Sequence, residues 1–181
     1  MSGAGARVAD LLVTNVGTLV SPAGIGPQRG TAFGALVVQH DVEFACIDGE
    51  IAHIGACGSW RHGAMRELDA QGHAVVPGLV DPHTHVVWAG DRLDDFEAKL
   101  RGDDYETILA PRLCRLSPAE AWVASTANAA AALRLPLAGR VESGLPSDFC
   151  ILRSRDWRDL PYTLGDDVIA QVVTARETMA S

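Results

Sequence analysis

Ala74-Val75-Val76-Pro77-Gly78-Leu79-Val80 runs directly into Asp81-Pro82-His83-Thr84-His85. A near-continuous apolar run of this kind predicts a strand buried on both faces, as in parallel sheets. Side chains on a strand alternate with a period of two, so His83 and His85 fall on the same side. Two imidazoles side by side are two legs of a metal site, with zinc–nitrogen distances of about 2.0–2.1 Å. The same His-x-His spacing also arises as two surface histidines, so the pair alone leaves both readings open.

Upstream of this run the sequence has β character. Leu11 to Val20 is rich in Val, Leu and Thr, and a Gly/Pro loop follows from Ser21 to Gly30. Ala35 to Val38 and Val42 to Ile47 are further apolar runs. Asp48-Gly49 then turns the chain into Glu50 to Ile54. Asp-Gly between apolar runs is a strong two-residue hairpin signal. These segments predict a small antiparallel β unit.

Downstream, Leu93 to Ala110 has helical spacing at Phe96, Leu100 and Ile108, broken into two short helices by Gly102 and Asp103-Asp104. The clearest helix is Ser117 to Leu135. Ser117 is a natural N-cap, Pro118 takes the first helical position, and Glu120 completes a capping box. The alanine-rich body has high helix propensity, and Pro136 ends it. Phe149 to Leu152 and Val168 to Thr174 read as two more strands.

Composition narrows the function classes. Of 181 residues, 48% are hydrophobic and 21% charged, ordinary values for a globular chain and too apolar for a disordered one. No apolar run reaches the roughly 18 residues of a membrane span. The net charge is −8, from 15 Lys+Arg against 23 Asp+Glu. An acidic chain is a poor nucleic-acid binder, because phosphate contacts need clustered cations. Arg153, Arg155 and Arg158 are close together, but Asp156 and Asp159 interleave with them. Cys46, Cys57, Cys114 and Cys150 match no zinc-ribbon or CxxC spacing and are read as reduced and mostly structural. Met1 to Asp10 has no basic start followed by an apolar core. The expectation is a cytoplasmic protein with no nucleic-acid or membrane partner.

The string Val76-Pro77-Gly78-Leu79-Val80-Asp81-Pro82-His83-Thr84-His85 resembles the first barrel strand of the amidohydrolase superfamily. Ala89-Gly90-Asp91-Arg92, Phe96-Glu97-Ala98-Lys99-Leu100 and Asp104-Tyr105-Glu106-Thr107-Ile108 are similar to the imidazolonepropionase family within it. Leu116-Ser117-Pro118-Ala119-Glu120-Ala121 resembles that family's last helix. Gly139-Arg140-Val141-Glu142-Ser143-Gly144-Leu145-Pro146-Ser147-Asp148-Phe149 resembles its return into the flanking β domain. The resemblance implies hydrolysis of 4-imidazolone-5-propanoate, a small-molecule substrate, to N-formimidoyl-L-glutamate by a metal-activated water. It implies one Zn or Fe ion, with His83 and His85 as two ligands. Arg92 would hold the substrate carboxylate, a role that suits the bidentate guanidinium fork. A surface ion pair with Asp91 or Asp95 is the competing reading of Arg92.

Length sets a limit on that reading. A (β/α)8 barrel takes about 250 residues, roughly 30 per unit. The 31 residues 86–116 between His85 and Ser117 therefore hold about one unit, where the family places six or so. Catalytic zinc takes three protein ligands, and no third ligand or acid/base residue is assigned. His40, His53, His62, His73, Asp91 and Asp94 are weak candidates. The expected fold is mixed β/α: a composite β-sandwich from both chain ends, residues 1–72 plus 137–181, and a remnant of a metal-dependent (β/α)8 hydrolase barrel over residues 73–136. Such a chain is expected to be inactive alone. Two other readings are a non-catalytic metal- or ligand-binding module and a self-associating β module.

Overall fold

The computed structural model describes residues 7–82, 116–162 and 167–179. The predicted helices between Leu93 and Ala110 lie outside them.

Among the described residues, seven strands form one mixed sheet, with β3-β2-β1-β5-β6-β7 in order and β4 also on β1. They are β1 Leu11–Pro22, β2 Leu36–Ile47, β3 Glu50–Ala56, β4 Glu67–Asp69, β5 Ala74–Pro77, β6 Phe149–Leu152 and β7 Ile169–Val173. Both ends of the chain thus contribute strands to the same sheet.

The first three strands are antiparallel, as expected. The β2–β3 turn pairs Ile47 with Glu50 and puts both Asp48 (φ 53°) and Gly49 (φ 79°) in the left-handed region. That is the two-residue type I′ turn, whose twist matches the flanking strands. Ala35 to Val38 and Val42 to Ile47, read as separate runs, join in one 12-residue strand. Asp41 bridges them with a φ of 52°, a conformation Asp tolerates better than most residues. On β1 the register slips between Val13 and Val16, with Asn15 at φ 52°. One extra residue here bends the strand.

The antiparallel expectation fails at β4, which runs parallel to β1 beside Leu12–Thr14. Strand β5, read as a strand of the parallel-sheet kind, does run parallel to β1 beside Thr18 and Leu19, and antiparallel to β6 on its other edge. The connecting chain crosses the β1 edge tightly, with Ala70 N donating to Thr14 O, Gly72 N to Asn15 O and Gly17 N to His73 O, at 2.8–3.0 Å. Strand β4 went unpredicted because three residues, Glu-Leu-Asp, carry no readable period.

The run from Ala74 to Val80 needs a correction. Its sheet portion stops at Pro77 and is flanked on both edges, by β1 and by β6. Proline cannot donate a ladder hydrogen bond, and the strand ends there. The expected burial on both faces does hold: Val75 faces one core, and Ala74 and Val76 face the other.

The sheet curls on itself. Phe44 of β2 meets Phe149 of β6 edge to face, with ring centroids 5.1 Å apart and an interplanar angle of 86°. Two strands stand between them, so a flat sheet at ~4.8 Å spacing would hold them about 14 Å apart. The curl is fastened at the far edge, where Ile51 N donates to Leu145 O, Gly144 N to Ile51 O and Ser147 N to Gly49 O. Inside lie Leu11, Val13, Val42, Phe44, Cys46, Ile51, Val75, Phe149 and Ile151.

The second face is covered by the predicted helix. Ser117 caps it, with the full capping box to Glu120 and Pro118 in the first turn. It runs as α1 Pro118–Val123, a π segment Ala124–Asn128 and α2 Ala129–Ala132. The π segment was not expected. Ser125 and Thr126 turn their hydroxyls back to the carbonyls of Ala121 and Trp122. Such back-bonding from Ser and Thr competes with the regular ladder. Trp122 packs against Val20, Val76, Cys150 and Leu152 and donates its indole N–H to Trp157 O at 2.8 Å.

Candidate functional site

His83, His85 and Arg92 lie outside the described residues, and so do Asp91 and Asp94. The structure does describe the chain that leads to them. After Pro77, Gly78 N donates to Asp148 O at 3.0 Å, and Val80 N donates to Ser125 O at 2.9 Å. The approach is thus held on one side by the turn entering β6 and on the other by the π segment. Single π turns inside helices often sit at functional sites. Leu79, Asp81 and Pro82 are exposed, and Val80 is half-buried.

Three of the remaining histidines, His40, His53 and His62, have other partners. His40 Nδ1 lies 3.3 Å from the Thr18 hydroxyl. His53 Nε2 lies 2.9 Å from Ser59 Oγ, and its ring tilts against Trp60, which in turn meets His62 edge to face. Among the described residues, no three His, Cys, Asp or Glu side chains come together to hold a metal ion. The ligand pair that the resemblance implies, His83 and His85, lies outside the described residues, and no described residue is assigned as a further ligand. No described helix is long and apolar enough to cross a membrane.

Glu43 is a buried carboxylate that the sequence reading did not single out. It is 4% exposed. Its carboxylate accepts from Trp60 N at 2.6 Å, Gly58 N at 2.8 Å and Ser59 Oγ at 3.4 Å. The available signal was one acidic residue inside the apolar run Val42 to Ile47. Burial opposes ionisation of this carboxyl, but the donors from Trp60, Gly58 and Ser59 outweigh it and hold the pKa below the ordinary value of 4.5. A carboxyl with a depressed folded-state pKa stabilises the fold when ionised. That contribution is complete above pH 4.5 and is lost as pH falls through the lower folded-state value. Glu43→Gln is therefore expected to destabilise the chain by about 1–3 kcal/mol at neutral pH. Urea unfolding should show the gap to the parent narrowing below pH 4.5. A pH-independent gap would remove the ionised carboxylate from the account.

The described cysteines are free, in line with the reduced reading, but they differ in setting. Cys46 and Cys150 are buried, whereas Cys57 is exposed. Burial pushes the Cys46 thiol up to about 12, against a smaller opposing effect from Ser147. Burial also raises Cys150. Neither supplies a thiolate at neutral pH.

No family model matches the chain. Among curated proteins, an imidazolonepropionase of Deinococcus radiodurans is 48% identical over 103 residues, covering 57% of this chain and 25% of that protein. An imidazolonepropionase of Deinococcus deserti is 45% identical over 130 residues, covering 70% of this chain and 31% of that protein. Among solved structures, the L-hydantoinase of Arthrobacter aurescens aligns at a TM-score of 0.31 with 30% identity, over 49% of this chain and 16% of that one. The chain spans about a quarter to a third of the length of these curated relatives. Within that stretch, the chain is a sequence relative of the imidazolonepropionases.

Proposed function

We propose that this chain carries one part of an imidazolonepropionase-type hydrolase, which opens the ring of 4-imidazolone-5-propanoate to give N-formimidoyl-L-glutamate. The observation that carries this reading is the 48% identity over 103 residues to a protein of that name. His83 and His85 are assigned as two ligands of one Zn or Fe ion, and Arg92 as the group that holds the substrate propionate. The composite β-sandwich is assigned to residues 1–72 and 137–181 and the barrel remnant to residues 73–136, closed by the Ser117 helix; β5, at the start of that remnant, is shared with the curled sheet, where it lies between β1 and β6.

The chemistry assigned to this chain's own residues is positioning. A guanidinium at Arg92 pairs with a carboxylate through two parallel hydrogen bonds and fixes one end of the substrate. Both anchors of the chain at Gly78 and Val80 are backbone hydrogen bonds, so they orient the segment entering Asp81 whatever its side chains. Acid/base groups and a third metal ligand are not assigned to any residue of this chain, and turnover by the chain alone is not expected.

Two measurements test the proposal on the purified chain. Zinc titration should show tighter binding by the parent than by a His83→Ala/His85→Ala variant, and equal affinity would remove the ligand pair. Incubation with 4-imidazolone-5-propanoate and Zn or Fe should give no ring opening, and measurable turnover would overturn the incomplete-site reading.

A further inference from the structure

The loop of residues 23–35 is closed around one side chain. Gln28 donates through Nε2 to the carbonyls of Ala23 and Ala35, and its Oε1 accepts from the amides of Gly34 and Ala35. Asn128 in the π segment clamps the Gln28 backbone on both sides, at 2.7 and 3.0 Å. This fixes the loop beside the helix and leaves a cavity of about 320 Å³ between the loop, the helix and the turn that follows it.

The walls of this cavity are mostly apolar, from Ile25, Pro27, Ala127, Ala131, Leu135 and Pro136. Two cations join them, Arg134 and Arg140, and no acidic residue lines the cavity. Arg140 is 5% exposed. Its Nη2 donates to Gly26 O at 3.2 Å and its Nη1 to Pro136 O at 3.5 Å. Its buried Nε–H meets no acceptor among the described residues. Both acceptors are neutral carbonyls, so among the described residues the guanidinium is buried without a counter-charge, an unfavourable state for any ion. Arg134 is exposed on the same rim and makes no ion pair among the described residues. The carbonyls of Ala129, Ala130 and Ala131 already accept from Leu133, Leu135 and Arg134.

We propose that this cavity binds a small monocarboxylate on an apolar body, of the medium-chain fatty-acid class. The carboxylate pairs with the exposed Arg134 guanidinium, whose planar fork suits a carboxylate, and sits in the field of the buried Arg140 charge. The apolar walls take the chain. The volume lies at the small end of the range for ligand pockets, about 300–1,000 Å³.

Isothermal titration of the full chain with octanoate, octan-1-ol and octylamine tests the site. Octanoate is expected to saturate at one per chain, with octan-1-ol about tenfold weaker or more and octylamine silent. Arg134→Gln should weaken octanoate about tenfold. Ala131→Phe places a ring in the cavity and should abolish binding while the circular dichroism spectrum stays unchanged. The proposal is overturned if the parent does not bind octanoate, if octan-1-ol or octylamine binds as tightly, or if folded Ala131→Phe binds octanoate like the parent.

Discussion

Gly17→Ala is expected to destabilise the chain by on the order of 4 kcal/mol, combining backbone overlap with lost hydrogen bonds. A methyl group at Gly17 would stand 1.9 Å from the Gly72 carbonyl oxygen and 2.7 Å from its carbon. Both are main-chain atoms, and neighbouring hydrogen bonds from Gly17 N to His73 O and from Gly72 N to Asn15 O hold them in place. Relief requires moving the crossing chain off β1, which opens the sheet between β4 and β5. Domains of this size are stable by about 5–15 kcal/mol, so much of the stability should go. Gly58→Ala is the control. Gly58 has a φ of +78° but nothing within 4 Å of an added methyl, so only backbone strain of about 1–2 kcal/mol applies. Urea unfolding followed by circular dichroism reads both variants. Equal losses at the two positions would reject the steric explanation.

Phe149→Ala is expected to cost about 3–5 kcal/mol, the usual range for a fully buried aromatic ring. Phe149 and Phe44 are both fully buried and meet edge to face at 5.1 Å. Removing either ring opens a cavity where the two ends of the chain close on each other, and the curl leaves little freedom for collapse. A double-mutant cycle with Phe44→Ala should return a coupling of about 0.5–1.5 kcal/mol. Strict additivity would mean that the two rings do not meet, and the curled arrangement would be wrong.

Local features were legible in the sequence. The Asp48-Gly49 turn and the Ser117 capping box each depend on a few adjacent residues, and both formed as read. Strand β6 was also placed at Phe149 to Leu152, because a short apolar run was bounded by turn residues. Features set by partners far along the chain were not legible. The parallel placement of β4 depends on the crossing at Gly17 and Gly72. The π segment depends on which way Ser125 and Thr126 turn their hydroxyls. Glu43 looked like an ordinary strand residue until the chain at Gly58 to Trp60 folded over it. Of the candidate site, His83, His85 and Arg92 were readable as a motif, and they fall outside the described residues. The cavity at Arg140 had no sequence signature, because it is assembled from a loop, a helix and a turn.

Strand β5 pairs with β1 on one edge and with β6 on the other, yet β6 begins 72 residues after Pro77 (149 − 77). On a ribosome that interval lasts on the order of 4–15 s at about 5–20 residues per second. Strands β1 to β3 can zip through local hairpins as soon as they emerge, but β5 must wait with one edge bare. A bare strand edge is a template for pairing with another chain. The risk of aggregation in this molecule is therefore concentrated in time, before Phe149 to Leu152 arrives, and chaperone dependence during synthesis should exceed that of the finished fold.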